Sequence, residues 1–156
     1  MGVRLDEAEI REFLAKGHTG ILTSLRADGW PVSLPIWYVT LDDRVYVRTP
    51  NGSKKVGRVK KDDRVSFLVE SGKAWKELKS VVITGRAVVV QDEAELARVD
   101  EALGEKYADF GVPKAAPKAT KKHYGRGSTV IRIDPVKHAL TWDNAKIRLR
   151  SQQGHS

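Results

Sequence analysis

Cysteine is absent from the 156 residues, which excludes disulfides, thiolate metal sites and thiol nucleophiles. Redox chemistry, if the protein performs any, then needs a bound cofactor. No apolar run approaches the roughly 20 residues that span a bilayer, and Met1 to Asp6 lacks the apolar core of a signal peptide. These absences lead to the expectation of a cytoplasmic protein without integral membrane association. The four histidines, His18, His123, His138 and His155, are scattered without metal-ligand spacing, so no metal is expected and each reads as a surface or loop residue. Most carboxylates fall in two helical segments and in turns, with no isolated pair suited to glycoside-type acid/base work. No internal repeat is visible.

Positive charge, by contrast, is in excess: 28 Lys plus Arg against 20 Asp plus Glu, a formal net of +8. Such an excess attracts anions as a class, whether nucleic acid, an acidic membrane surface or a phosphorylated small molecule. Length and an ordinary hydrophobic content of 40% suit one globular domain with a modest core, expected over residues 1–149, with 150–156 a disordered tail.

Hydrophobic periodicity predicts mostly short strands. Asp6 with Glu9 forms a capping-box pattern ahead of Ile10, Phe13 and Leu14, a short amphipathic helix that Gly17 ends. Thr19 to Arg26 reads as a strand, Asp28-Gly29 as a hairpin turn, and Trp30 to Thr40 as a second strand. Pro31 and Pro35 cannot donate to a ladder, so that second strand is expected to be an edge or irregular strand, with some unpaired backbone able to face a ligand. Arg44 to Thr49 continues the meander. A basic helix follows, Lys54 to Lys61, with Ser53 as its expected N-cap. Strands are predicted over Arg64 to Glu70 and over Ser80 to Val90, where Gly85 marks a bulge or bend. Asp92 caps a second amphipathic helix, with Leu96, Val99, Leu103 and Tyr107 on one stripe. Asp109 to Gly127 has no periodicity and reads as a functional lid or as disorder. Ser128 to Asp134 and His138 to Trp142 are predicted to form a closing hairpin around Pro135. Many short antiparallel strands with three helices make a mainly β protein, a small β-barrel with peripheral helices.

The strongest local signal is Thr49-Pro50-Asn51-Gly52-Ser53-Lys54-Lys55. A strand end, a glycine turn and a hydroxyl at a helix start, followed by two cations, supply what a phosphate needs: N–H donors, hydroxyls and positive charge. The plainer alternative is that Ser53 only caps the helix while Lys54 and Lys55 are solvated.

Gly52-Ser53-Lys54-Lys55 followed by Asp63 to Leu68 resembles the phosphate-binding segment of the pyridoxamine 5′-phosphate oxidase-like, or FMN-binding split-barrel, superfamily. Asp28 to Tyr38 resembles its second strand, Val82 to Ala87 a later barrel strand, and Ser128 to Lys146 its closing segment, so the likeness covers most of residues 6–147. It implies a split barrel of six to seven antiparallel strands. It also implies that Ser33, Leu34, Pro35, Ile36 and Trp37 contact a flavin ring, while Thr49, Ser53, Lys54 and Lys55 hold phosphate and ribityl oxygens. Lys54 and Ser33 stand where pyridoxamine phosphate oxidases usually carry arginine, which argues against the vitamin substrate. The chain looks more like the actinobacterial branch using the deazaflavin coenzyme F-420, with FMN as the alternative cofactor.

By that resemblance the protein is an oxidoreductase acting on a small-molecule substrate, and a homodimer whose cofactor sites lie at the interface. Trp37 is the ring-stacking candidate, whereas Trp30 and Trp75 read as barrel core or dimer interface. The basic stretch with Lys114, Lys118, Lys121, Lys122 and Arg126 reads as solvated charge or as a cover for a polyanionic cofactor tail. The competing classes are a non-enzymatic flavin or haem binder and a nucleic-acid-binding barrel; only net charge and aromatics favour the last.

Overall fold

The computed structural model describes residues 3–111 and 127–148. The expectations for the lid, with His123 and Tyr124, and for the tail lie outside the described residues. The elements in chain order are α1 (Glu7–Lys16), β1 (Thr19–Leu25), β2 (Pro31–Leu41), β3 (Arg44–Pro50), α2 (Lys54–Lys61), β4 (Arg64–Ser71), β5 (Lys79–Val89), α3 (Glu93–Lys106), β6 (Ser128–Pro135) and β7 (Leu140–Asp143). Short 3₁₀ turns occupy Trp75–Glu77 and Asn144–Lys146. The sheet runs β4-β1-β2-β3-β6-β5-β7, and an added β4–β5 ladder closes six antiparallel strands into a barrel with β7 outside it. No described helix is long and apolar enough to cross a membrane.

Alternation puts β-branched and aromatic side chains inside the barrel, where Tyr38, Val47, Phe67, Val81, Ile131 and Ile133 are fully buried. The capping box at α1 forms as expected: Asp6 accepts from the Glu9 N–H at 2.8 Å, and Glu9 accepts from the Asp6 N–H at 3.0 Å. α1 is pinned to the barrel where the Tyr38 hydroxyl donates to the Leu14 carbonyl at 2.6 Å. A second cluster, Val39, Tyr46, Val90, Val99, Leu103, Tyr107 and Val130, seats α3 on the outer face of β2, β3 and β6.

Three expectations are corrected. β6 and β7 are not a hairpin: both pair with the same edge of β5, β6 along Gly85–Val89 and β7 along Lys79–Val82. Pro135 interrupts one continuing course of chain rather than reversing it, because a proline leaves a gap in donors without imposing a turn. Nor does Gly85 mark a bulge, since the β4–β5 register is unbroken from Arg64↔Arg86 to Ser71↔Lys79. A Cβ there would lie 2.5 Å from the Asp134 carbonyl oxygen, so glycine is needed for close backbone approach. Trp30 and Trp75 are not core: they are 68% and 56% exposed, at the β1–β2 hairpin and on the turn before β5, outside a barrel already filled by smaller side chains.

Candidate functional site

The prolines of β2 shape the site. Pro31 to Trp37 pairs only with β1, whereas Tyr38 to Leu41 pairs with β3. Residues Arg48 to Pro50 of β3 in turn pair only with β6. The β2–β3 ladder therefore opens beyond Tyr38, in the half of β2 whose prolines cannot serve a second ladder. β2 is not an edge strand, since it lies between β1 and β3, but its proline half is irregular, with one side left unpaired as expected; a cleft of about 400 Å³ lies at the opening, lined by Trp37, Arg48, Thr49, Pro50, Leu103 and Tyr107 among others.

Aromatic packing fixes one wall. Trp37 and Tyr107 stack with centroids 4.4 Å apart and planes 2° from parallel. His18, on the loop between α1 and β1, meets Trp37, Tyr107 and Phe110 edge-on at 5.9, 5.2 and 4.7 Å. The Tyr107 hydroxyl accepts from the Tyr38 N–H at 2.9 Å, the donor at the point where the ladder ends, and its proton has the carbonyls of His18 (2.6 Å) and Tyr38 (2.9 Å) as acceptors. Lys106 donates to the same Tyr38 carbonyl at 2.9 Å, and its ammonium lies 3.7 Å from the Tyr38 ring centroid. Burial lowers the Lys106 pKa to about 8. In the sequence Tyr107 reads as part of a helix stripe and Lys106 is not singled out; nothing local ties either to Tyr38, 69 and 68 residues away.

The other wall is polar. Thr49 is buried at the barrel end, and its hydroxyl donates to the Ser53 hydroxyl at 3.0 Å. Gly52, at φ +78°, makes the turn between them. Ser53 occupies the N-cap position of α2 but makes no side-chain capping bond, so the first-turn N–H groups of this helix receive nothing from it. Half-buried Lys55 has no partner among the described residues. Burial, and then the charge of Arg58, lower its pKa below the ordinary lysine value. Free first-turn donors, two hydroxyls and an unpaired, partly desolvated ammonium fit an anion such as a phosphate.

Beyond Lys54 the surface continues as a groove between the β1–β2 hairpin and α2, bordered by Arg26, Lys54, Arg58 and Lys61. Its one carboxylate, Asp62, is held by Arg64 through bonds of 3.0 and 2.7 Å. These bonds lower the Asp62 pKa to about 2. Arg58 also satisfies the buried Ser24 hydroxyl at 3.0 Å.

The candidate residues therefore separate. Trp37 and Thr49 share the cleft, Thr49 and Ser53 are bonded, Lys54 borders the groove, and Lys55 follows on α2. Ser33, Leu34 and Pro35 are exposed farther along β2 and do not line the cleft; the Ser33 hydroxyl is 2.7 Å from that of Thr23. Ile36 points into the core, which leaves only its backbone for a ligand. Among the described residues no three His, Asp or Glu side chains could hold a metal.

Residues 6–141 match the family described as pyridoxamine 5′-phosphate oxidase. The chain belongs to that family. Solved structures agree with the fold. A conserved hypothetical protein from Mycobacterium tuberculosis is 28% identical with a TM-score of 0.77, over 93% of this chain and 89% of that one. An FAD-binding protein from Mycobacterium smegmatis is 22% identical with a TM-score of 0.64, over 89% and 97%. The heme-storage protein of Vibrio cholerae is 18% identical with a TM-score of 0.68, over 87% and 94%. A search of the curated proteins found no match. The barrel is thus shared among proteins whose names differ in ligand, so the fold alone does not name the ligand of this chain.

Proposed function

We propose that this chain is an oxidoreductase that binds the deazaflavin coenzyme F-420, with FMN as the alternative, and serves a small conjugated organic substrate. The observation that supports the reading is an opened, proline-marked β2 edge beside the Trp37–Tyr107 stack, with Thr49 and Ser53 hydrogen-bonded at the start of α2 and Lys55 on its first turn. A bound deazaflavin supplies two-electron hydride chemistry, so the protein needs to provide orientation, electrostatics and a dry site. In this reading Thr49, Ser53, Lys55 and the first turn of α2 hold the phosphate, and the backbone of Ser33 to Trp37 faces the ring. Trp37 and Tyr107 form a flat wall that excludes water on one side. The basic groove beyond Lys54 favours the deazaflavin, because that coenzyme carries anionic groups past its phosphate whereas FMN ends there.

The active form in this proposal is a cytoplasmic homodimer with the cofactor site completed at the interface. Exposed Trp30, Trp75, Leu78, Leu140 and Trp142 leave large apolar side chains on the surface of the single chain that a second copy would cover in this proposal. Two of them belong to one small assembly, since Asn144 accepts from the Trp142 indole and donates to the Trp75 carbonyl at 2.6 Å.

Parallel titrations with FMN and with F-420, followed by quenching of Trp37, test the reading. The expected result is tighter binding of F-420, with reoxidation of its reduced form by a conjugated alkene or quinone. Tighter binding of FMN would move the protein to the oxidase reading, and binding of neither would overturn the site.

A further inference from the structure

A second cleft lies at the opposite end of β3 from Thr49, where α1 covers the mouth of the barrel. It has a volume of about 470 Å³, within the range of small-molecule sites. Its floor is apolar: Val45 and Ile83 come from the barrel interior, and Ile10, Leu14 and Ala139 form the walls. Strand alternation adds one polar group to that floor. Ile36 and Tyr38 point into the barrel and Val39 away from it, so Thr40 falls on the inner face and lines the cleft beside Val45, its partner on β3. The Thr40 hydroxyl makes no hydrogen bond among the described residues. The cleft shares no residue with the one beside Trp37 or with the basic groove.

Charge at the rim cancels. Arg11 holds Asp43 through bonds of 2.8 and 3.2 Å and lies 3.9 Å from Glu7, so one guanidinium serves two carboxylates and one negative charge remains. Asp42 is matched by Arg98 at 3.1 Å. Lys137, on the segment between β6 and β7, lines the cleft without a partner among the described residues and offsets the remaining carboxylate. With the neighbouring His138 neutral at pH 7, the rim carries both signs and no net charge. The floor carries none.

We propose that this cleft is a binding site for a small uncharged molecule, an alcohol or ketone with a compact apolar body. Its hydrocarbon part enters between α1 and the barrel against Ile10, Leu14 and Ile83, and its one oxygen exchanges a hydrogen bond with the Thr40 hydroxyl. An ionised head group would lose hydration over a floor that holds no counter-ion, and at the rim an ion of either sign meets like charge. A hydrocarbon without an oxygen leaves Thr40 unpaired. Binding here does not depend on which cofactor the protein takes.

Cyclooctanol is a suitable probe, titrated by calorimetry and by methyl NMR of the whole protein, with cyclooctylamine and cyclooctanecarboxylate as charged counterparts of the same body. The expected result is saturable binding of the alcohol, with shifts at the methyls of Ile10, Leu14 and Ile83 and none at Thr49, and binding of both ions at least about tenfold weaker. Thr40→Val keeps the β-branched shape and removes only the hydroxyl, so it should weaken cyclooctanol about three- to tenfold, the worth of one neutral hydrogen bond, and leave cofactor affinity unchanged. Ala139→Trp fills the cleft and should abolish binding; if it does not fold, Thr40→Val still decides. Equal affinity for either ion, insensitivity to Thr40→Val, shifts confined to the exposed tryptophans, or no binding would each overturn the proposal.

Discussion

Replacing Lys55 by methionine should move binding and stability in opposite directions, which separates a ligand-holding charge from a structural one. In the free protein the Lys55 ammonium is half-buried, has no described partner, and is held below the ordinary lysine pKa first by burial and then by Arg58. An unpaired charge in that setting disfavours the folded state, so its removal should leave the urea midpoint unchanged or higher. A phosphate seated at the cradle would make a charge-assisted hydrogen bond with it, worth about 1.5–3 kcal/mol. Losing that bond raises the cofactor dissociation constant about ten- to hundredfold. The pH dependence follows the same sign. Because the folded pKa is lowered, the lysine loses its proton in the folded protein before pH reaches 10.5, and cofactor affinity should fall as pH rises through that lowered value. Lys55→Met should lack this fall. Titration by tryptophan quenching and urea unfolding followed by circular dichroism measure both quantities. Unchanged affinity, or a loss of affinity matched by a loss of stability, would refute the reasoning.

Tyr107→Phe keeps the ring against Trp37 but leaves the Tyr38 N–H without its 2.9 Å acceptor. An unsatisfied buried donor costs about 1–3 kcal/mol, so thermal unfolding should show a clear drop, accompanied by weaker cofactor binding as the end of β2 loosens. Lys106, with its pKa lowered to about 8, makes the unfolded chain bind more protons than the folded one between that value and 10.5. Stability should therefore rise with pH across this window, and comparison of wild type with Lys106→Met by denaturant titration at several pH values should show a smaller rise in the variant. Gly85→Ala drives a Cβ to within 2.5 Å of the Asp134 carbonyl. A cost of about 1–3 kcal/mol is expected from such overpacking, read as a lowered unfolding midpoint with the cofactor site otherwise retained.

Elements governed by near neighbours were legible in the residues. The capping box Asp6–Glu9, the Asp28-Gly29 hairpin and the span of α2 all depend on contacts within a few positions, and the structure reproduces them. The open edge of β2 was legible too, because the absence of a proline N–H is a local fact with a sheet-level consequence. Family membership followed from the order of several weak motifs and is shown by the match over residues 6–141.

Tertiary structure alone decided the rest. Whether β6 and β7 pair with each other or both with β5 depends on where a distant strand offers an edge. That Gly85 meets Asp134, that Tyr107 takes the last donor of the open ladder, and that Trp37 stacks on Tyr107 are contacts between residues about 50 to 70 positions apart. Periodicity reports which face of an element is apolar, not which partner covers it. The ion pairs Asp43 with Arg11 and Asp42 with Arg98 likewise became readable only after folding had brought distant elements together, because composition counts charges whereas geometry pairs them.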